Sequence, residues 1–148
     1  MKSQKITLEP IGIIHSPFKT TNTAPPQGDD TPIKMEIYQK YEQGLTDIEG
    51  FSHIHVLYWL HESKNYSLMV KTPWDVTPHG LFSTRSPNRP NPIGYSVVKI
   101  ISKQKNILNI TNLDAIDKTP IIDIKPYIAR RDAKPKATEG WLSHTQLR

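Results

Sequence analysis

The run Arg85-Ser-Pro-Asn-Arg-Pro-Asn-Pro-Ile-Gly94 places three prolines, two arginines, two asparagines and a glycine in ten residues. Each proline removes a backbone donor and fixes φ, so the run is neither helix interior nor central strand. Ser86, Arg89 and Asn91 each precede a proline, which pushes them toward extended geometry. A stiff loop is therefore expected here, holding Arg85, Asn88, Arg89 and Asn91 with little conformational freedom left to lose on binding a polar ligand. The plainer alternative is a rigid corner whose arginines face solvent.

What surrounds the loop reads mostly as strand. Apolar residues recur with period two over Leu8 to His15, over Ile33, Met35 and Ile37, and over Phe51 to His61. Leu81 to Thr84, Ile93 to Ile101, Ile107 to Asn112 and Ile121 to Lys125 complete the expected strands, with Lys103 to Asn106 as a hairpin turn. Thr20 to Thr31 is a polar loop, and Tyr38 to Gln43 a helical turn stopped by Gly44 in left-handed geometry. The βαβ alternation of a doubly wound sheet is missing. The expected fold is mainly β, a small, mostly antiparallel β-barrel with one or two short helices. A chain of 148 residues suits one domain with a real core, so residues 1–148 are read as a single barrel with a basic tail from about residue 129. Trp141 and Leu142 are expected to fold back onto the barrel.

Composition narrows the chemistry. With no cysteine, disulfides, thiolate metal sites and cysteine nucleophiles are excluded, in keeping with a cytoplasmic protein. No apolar run approaches the ~20 residues that span a bilayer, and Met1 to Lys5 lacks the apolar stretch of a secretory signal. The net charge of +5 permits a polyanionic partner such as RNA, and Arg130, Arg131, Lys134 and Lys136 could meet phosphates or form a solvated tail. Glycine fingerprints for dinucleotides, P-loop phosphates and the hydrolase nucleophile are absent.

Two further groups of residues carry possible chemistry. His53, His55 and His61 would share one strand face, which suggests either a metal site, without a completed ligand pattern, or ordinary hydrogen bonding; His61 and Glu62 suit polar ligand contacts better. The stretch Asp114 to Tyr127 ends in a strand on which Ile122 and Ile124 face one way and Ile121, Asp123 and Lys125 the other. Asp123 and Lys125 form either a structural ion pair or, beside Tyr127, a base with its electrostatic partner.

Phe82 to Ser96 resembles the pattern F-x-T-R-S-P-x-R-P-N-P-I-G-x-S, and Asp114 to Tyr127 the pattern D-x-x-D-G-T-P-[VI]-x-D-I-K-P-Y, of the TsaA-like family. Ile11 to Pro17, Gly50 to Ile54 and Gly140 to Leu142 extend the similarity over about residues 8 to 142. The resemblance implies a compact barrel that binds S-adenosyl-L-methionine and acts as a tRNA (adenine-N6)-methyltransferase on threonylcarbamoyladenosine beside the anticodon. It further implies a homodimer with the cofactor site near the subunit interface. Cofactor contacts carry over to Pro25, Pro26 and Gln27, to His61 and Glu62, to Arg85 and Tyr95, and to Asp117, Lys118, Thr119 and Pro120. Pro26 stands where the family has arginine, and Lys118 where it has glycine; lysine there adds strain if φ is positive. Within this reading Asp123, Lys125 and Tyr127 are the catalytic candidates, and Arg89, Asn91, Arg130 and Arg131 the substrate-binding ones. Arg85 or Arg89 suits the threonyl carboxylate. Two alternatives stand beside it: a methyltransferase of the same fold acting on another nucleic acid or a small molecule, and a non-catalytic ligand- or metal-binding barrel.

Overall fold

The structure, a computed structural model, describes residues 3–25 and 28–146. Its strands are β1 (Gly12–His15), β2 (Ile33–Ile37), β3 (His53–Trp59), β4 (Met69–Thr72), β5 (Asp75–Gly80), β6 (Ile93–Gln104), β7 (Ile107–Thr111) and β8 (Pro120–Pro126). Six of them close a barrel in the order β1-β2-β7-β6-β3-β8, and β4 with β5 forms a separate two-stranded sheet. Every pairing is antiparallel, which bears out the expected class. The α-helical part is one short turn, α1 (Ala129–Asp132).

Period-two patterning decides which side chains enter the barrel. Ile54, Val56 and Tyr58 of β3 are buried while His53, His55, Leu57 and Trp59 lie on the other face. Ile14, Met35, Val98, Leu108, Ile110 and Ile121 join the buried set. Two bulges interrupt the alternation. On β8, Leu57 faces Asp123 but Tyr58 faces Ile121, so Ile122 is the extra residue. A bulge shifts the faces by one position, so Ile121 is fully buried rather than sharing the outer face of Asp123 and Lys125. On β6 a second shift falls between Ile100 and Ser102 and leaves Ile101 exposed.

Other expectations are corrected locally. Leu81–Ser83 is a 3₁₀ turn, not a strand; the Thr84 hydroxyl donates to the Leu81 carbonyl and closes it. Gln39–Leu45 is 3₁₀ helix that runs through Gly44, and the left-handed residue is Asp47, with φ 71°. The first strand is confined to Gly12–His15. Trp141 does fold back, but onto the β4–β5 side: its indole N–H donates to the Ser83 carbonyl at 2.8 Å and its ring stacks on His79 at 3.8 Å.

Gly94 sits opposite Tyr58 in the β3–β6 register, and a Cβ there would stand 2.2 Å from the Tyr58 ring. Replacing Gly94 with alanine should therefore lower stability by about 1–3 kcal/mol, the usual cost of overpacking. Urea unfolding of Gly94→Ala should show a lower midpoint at unchanged slope.

Candidate functional site

One end of the barrel opens into a cleft of ≈ 1050 Å³. Three of the segments that wall it are fixed by hydrogen bonds. The proline loop is anchored where Leu60 N–H donates to the Pro92 carbonyl and Ile93 N–H to the Asn91 carbonyl. Asn88 Oδ1 accepts from Lys64 N–H at 2.8 Å, which ties that loop to the turn carrying His61 and Glu62. Arg89 Nη1 donates to the Thr84 and Ser86 carbonyls at 3.1 and 2.9 Å, so its guanidinium holds the loop's own shape.

The third wall is the turn before β8. Asp117 accepts from Ser16 N–H at 2.9 Å and from Lys19 Nζ at 2.8 Å. The Lys19 ammonium, followed by the Ser16 amide, holds the Asp117 carboxyl below its ordinary range. Lys118 has φ 67° and donates its N–H to the Ile14 carbonyl. The strain expected of a lysine in place of glycine is therefore present. Thr119 is buried, with its hydroxyl on the Ile116 carbonyl.

At the base of the cleft the Tyr58 hydroxyl donates to Asp114 Oδ1 at 2.9 Å and lies 3.0 Å from Ser96 Oγ. Burial, then the Asp114 charge, push this phenol well above its ordinary pKa, against the opposing charge of Arg85. It stays protonated at any physiological pH. Sequence reading singled out neither Tyr58 nor its link to Asp114; the signal was the tyrosine at an inward position of β3, opposite the motif's glycine.

Of the expected cofactor contacts, Pro25, His61, Glu62, Arg85, Tyr95 and Thr119 line this cleft, together with Arg89. Asp117 and Lys118 shape its third wall, and Pro120 begins β8. Pro26 and Gln27 lie outside the described residues. Asn91 contributes its backbone carbonyl to the loop. The expected catalytic trio is not brought together there. Asp123 lines a second cleft with Ile124 and Pro126 and pairs with Lys125 at 3.0 Å on an exposed surface, the geometry of a structural ion pair. Tyr127 instead packs by ring contact against His55 and His53, at 5.3 and 6.2 Å. Arg130 and Arg131 lie on α1. The three histidines also part company: His53 and His55 lie on the outer face of β3 and His61 beyond its end. No group of three or more metal-ligating side chains occurs among the described residues.

A closed antiparallel barrel with a ligand-sized cleft, walled by a rigid arginine-bearing loop, defines a small-molecule-binding barrel whose site sits at the strand ends. A family model described as the tRNA-methyltransferase O N-terminal domain matches residues 13–133, and the chain belongs to that family. A probable S-adenosyl-L-methionine-binding protein of Archaeoglobus fulgidus is 43% identical over 139 residues, covering 93% of this chain and 38% of that protein. The human tRNA (adenine(37)-N6)-methyltransferase is 31% identical over 149 residues, covering 94% of this chain and 34% of the human protein. The crystal structure of TrmO from Pseudomonas aeruginosa superposes with a TM-score of 0.77 at 30% identity, covering 93% of this chain and 62% of that one. The chain thus spans little more than a third of the two sequence relatives and under two thirds of the solved structure.

Two expected outcomes test the third wall. Lys118→Gly should raise stability by about 1 kcal/mol, because glycine takes positive φ without the Cβ clash; the urea midpoint reports it. Asp117, with its lowered folded pKa, stabilises the fold above its unfolded value near 3.9 and loses that contribution as pH falls through the folded value. Asp117→Asn should therefore flatten the loss of stability below about pH 4, read from urea midpoints across pH.

Proposed function

We propose that this chain is an S-adenosyl-L-methionine-dependent tRNA methyltransferase that methylates N6 of threonylcarbamoyladenosine next to the anticodon, in the cytoplasm. The observation that carries this reading is the cleft itself: the two family motifs, far apart in sequence, form facing walls of one cavity. Relatives described as S-adenosyl-L-methionine-binding proteins and as tRNA (adenine(37)-N6)-methyltransferases support the choice of ligand and acceptor.

The lining fits the cofactor chemically. Arg85 offers a planar fork for a carboxylate, Glu62 an acceptor for an ammonium or ribose hydroxyls, and Leu60, Ile93 and Ile116 an apolar surface for a ring system. When bound, S-adenosyl-L-methionine supplies a methyl group activated by a sulfonium. The chain's part is mostly placement, since orienting donor and acceptor is worth several kcal/mol, on the order of 7–11 at best. The rigid loop suits this task because Arg89 and Asn88 have already fixed its shape. A urea-like N6–H is a poor nucleophile until its proton leaves, so a base within reach of the cleft is required.

For the polynucleotide, Arg130 and Arg131 with Lys134 and Lys136 form the phosphate-contacting segment. That segment is held against the barrel, because Asp132 of α1 bonds His55 of β3. A homodimer is part of the proposal and is supported by the exposed apolar side chains Leu68, Met69, Val76 and Phe82 on and beside the β4–β5 hairpin. Among the described residues no helix is long and apolar enough to cross a membrane.

The deciding measurement is transfer of labelled methyl from S-adenosyl-L-methionine to tRNA with and without the threonylcarbamoyl group. Incorporation into the modified RNA alone is expected. Cofactor binding without incorporation into either RNA would keep the cofactor and overturn the acceptor. Sedimentation of the active protein checks the dimer; an active monomer would refute it.

A further inference from the structure

Tyr95 lines the cleft from the outer face of β6, and its hydroxyl lies 2.9 Å from His55 Nδ1. His55 Nε2 lies 2.9 Å from Asp132 Oδ2. The same carboxylate oxygen accepts the Ile128 amide at 2.8 Å. His55 first, then this amide, lower the Asp132 pKa, so Asp132 is ionised and accepts only. Nε2 of His55 must then carry hydrogen, and a ring with a single proton has it there and leaves Nδ1 bare. An acceptor at Nδ1 makes the Tyr95 hydroxyl the donor. The result is a directed chain in which Asp132 orients His55 and His55 draws on the Tyr95 proton.

The cleft's other tyrosine cannot serve as base, because burial and Asp114 keep the Tyr58 proton in place. Asp123 lies on a different cleft. Tyr95, about half exposed, is a cleft-lining side chain whose hydroxyl meets an imidazole nitrogen at hydrogen-bond distance.

We propose that Tyr95 is the general base of methyl transfer and that His55, oriented by Asp132, receives the Tyr95 proton. This rests on the methyltransferase reading above. As the methyl bond to sulfur breaks and the bond to N6 forms, the N6 proton passes to the Tyr95 oxygen. The Tyr95 hydroxyl proton passes to His55 Nδ1. The imidazolium so formed faces the Asp132 carboxylate, and the positive charge lost from the sulfonium reappears on His55, where solvent can remove the proton. His55 and Asp132 are positioning and proton-accepting partners; Tyr95 alone touches the acceptor. The charged and titratable groups around His55 are Asp132 and, beyond it, Lys134, Tyr95 on β6, Tyr127 after β8, its β8 register partner Lys125, and His53 on its own strand.

The test combines single-turnover methylation of threonylcarbamoylated tRNA with the ¹⁵N spectrum of the imidazoles. Tyr95→Phe should slow the transfer step about 100-fold or more at saturating cofactor. His55→Gln keeps a polar side chain but no proton acceptor of imidazole basicity. It should slow transfer likewise. In the free protein, the His55 resonances should report hydrogen on Nε2 and a bare Nδ1. A Tyr95→Phe rate equal to wild type overturns the proposal, and so does a His55→Gln rate equal to wild type. A hydrogen on Nδ1 overturns it independently of any RNA. If the wild type binds cofactor yet methylates no tRNA, the acceptor reading fails instead, and the tautomer alone decides the relay.

Discussion

The Tyr58 ring occupies the space that a side chain at position 94 would need, and much of the site depends on that contact. It fixes where the proline loop must hand over to β6, because only glycine lets the strand run under the ring. The same tyrosine is 4% exposed, and its hydroxyl reaches Asp114 and Ser96. One side chain on β3 thereby joins the start of β6 to the turn that precedes β8. A buried phenol must satisfy its hydroxyl, since an unmade hydrogen bond there costs about 1–3 kcal/mol. Both motif segments are thus drawn to one point by a single energetic requirement. The loop arginines then act from a frame that is already rigid.

The parts of the barrel legible in the sequence are those where period two coincides with one-sided burial. In β2, Ile33, Met35 and Ile37 are each buried to about 1% exposure or less, and β3 alternates throughout. The β4–β5 hairpin escaped because neither strand has a buried residue; without burial there is no alternation to read, and Pro78 is a residue that strands disfavour. Leu81 misled for the opposite reason, being 1% exposed although in a 3₁₀ turn. The bulge at Ile122 was invisible because a single extra residue changes the pairing without changing composition.

The site divides along the same line. Arg85, Tyr95 and Thr119 belong to the two motifs, His61 and Glu62 lie just past the end of β3, and the fold gathers all five around one cavity. Asp123 and Lys125 were not distinguishable from a structural ion pair by sequence, and the register settles their place: they stand on the outer face of β8, away from the main cleft. The His55–Asp132 contact joins residues 77 positions apart. No sequence pattern links the two residues, so only the closure of α1 onto β3 reveals the contact.

That contact also holds a basic segment against the barrel. Two arginines and nearby lysines repel one another and would favour an extended, solvated tail. Asp132 counters this at one point, accepting from both His55 and the Ile128 amide. Trp141 adds a second anchor on the far side of the segment, through Ser83 and the His79 ring. Between two anchors the chain has few conformations left, so ordering it against a polyanion costs less than ordering a free tail. The histidine that meets Tyr95 is also the one that bonds Asp132 of α1. On the function proposed above, placing the RNA backbone and readying the reacting nitrogen therefore draw on one side chain.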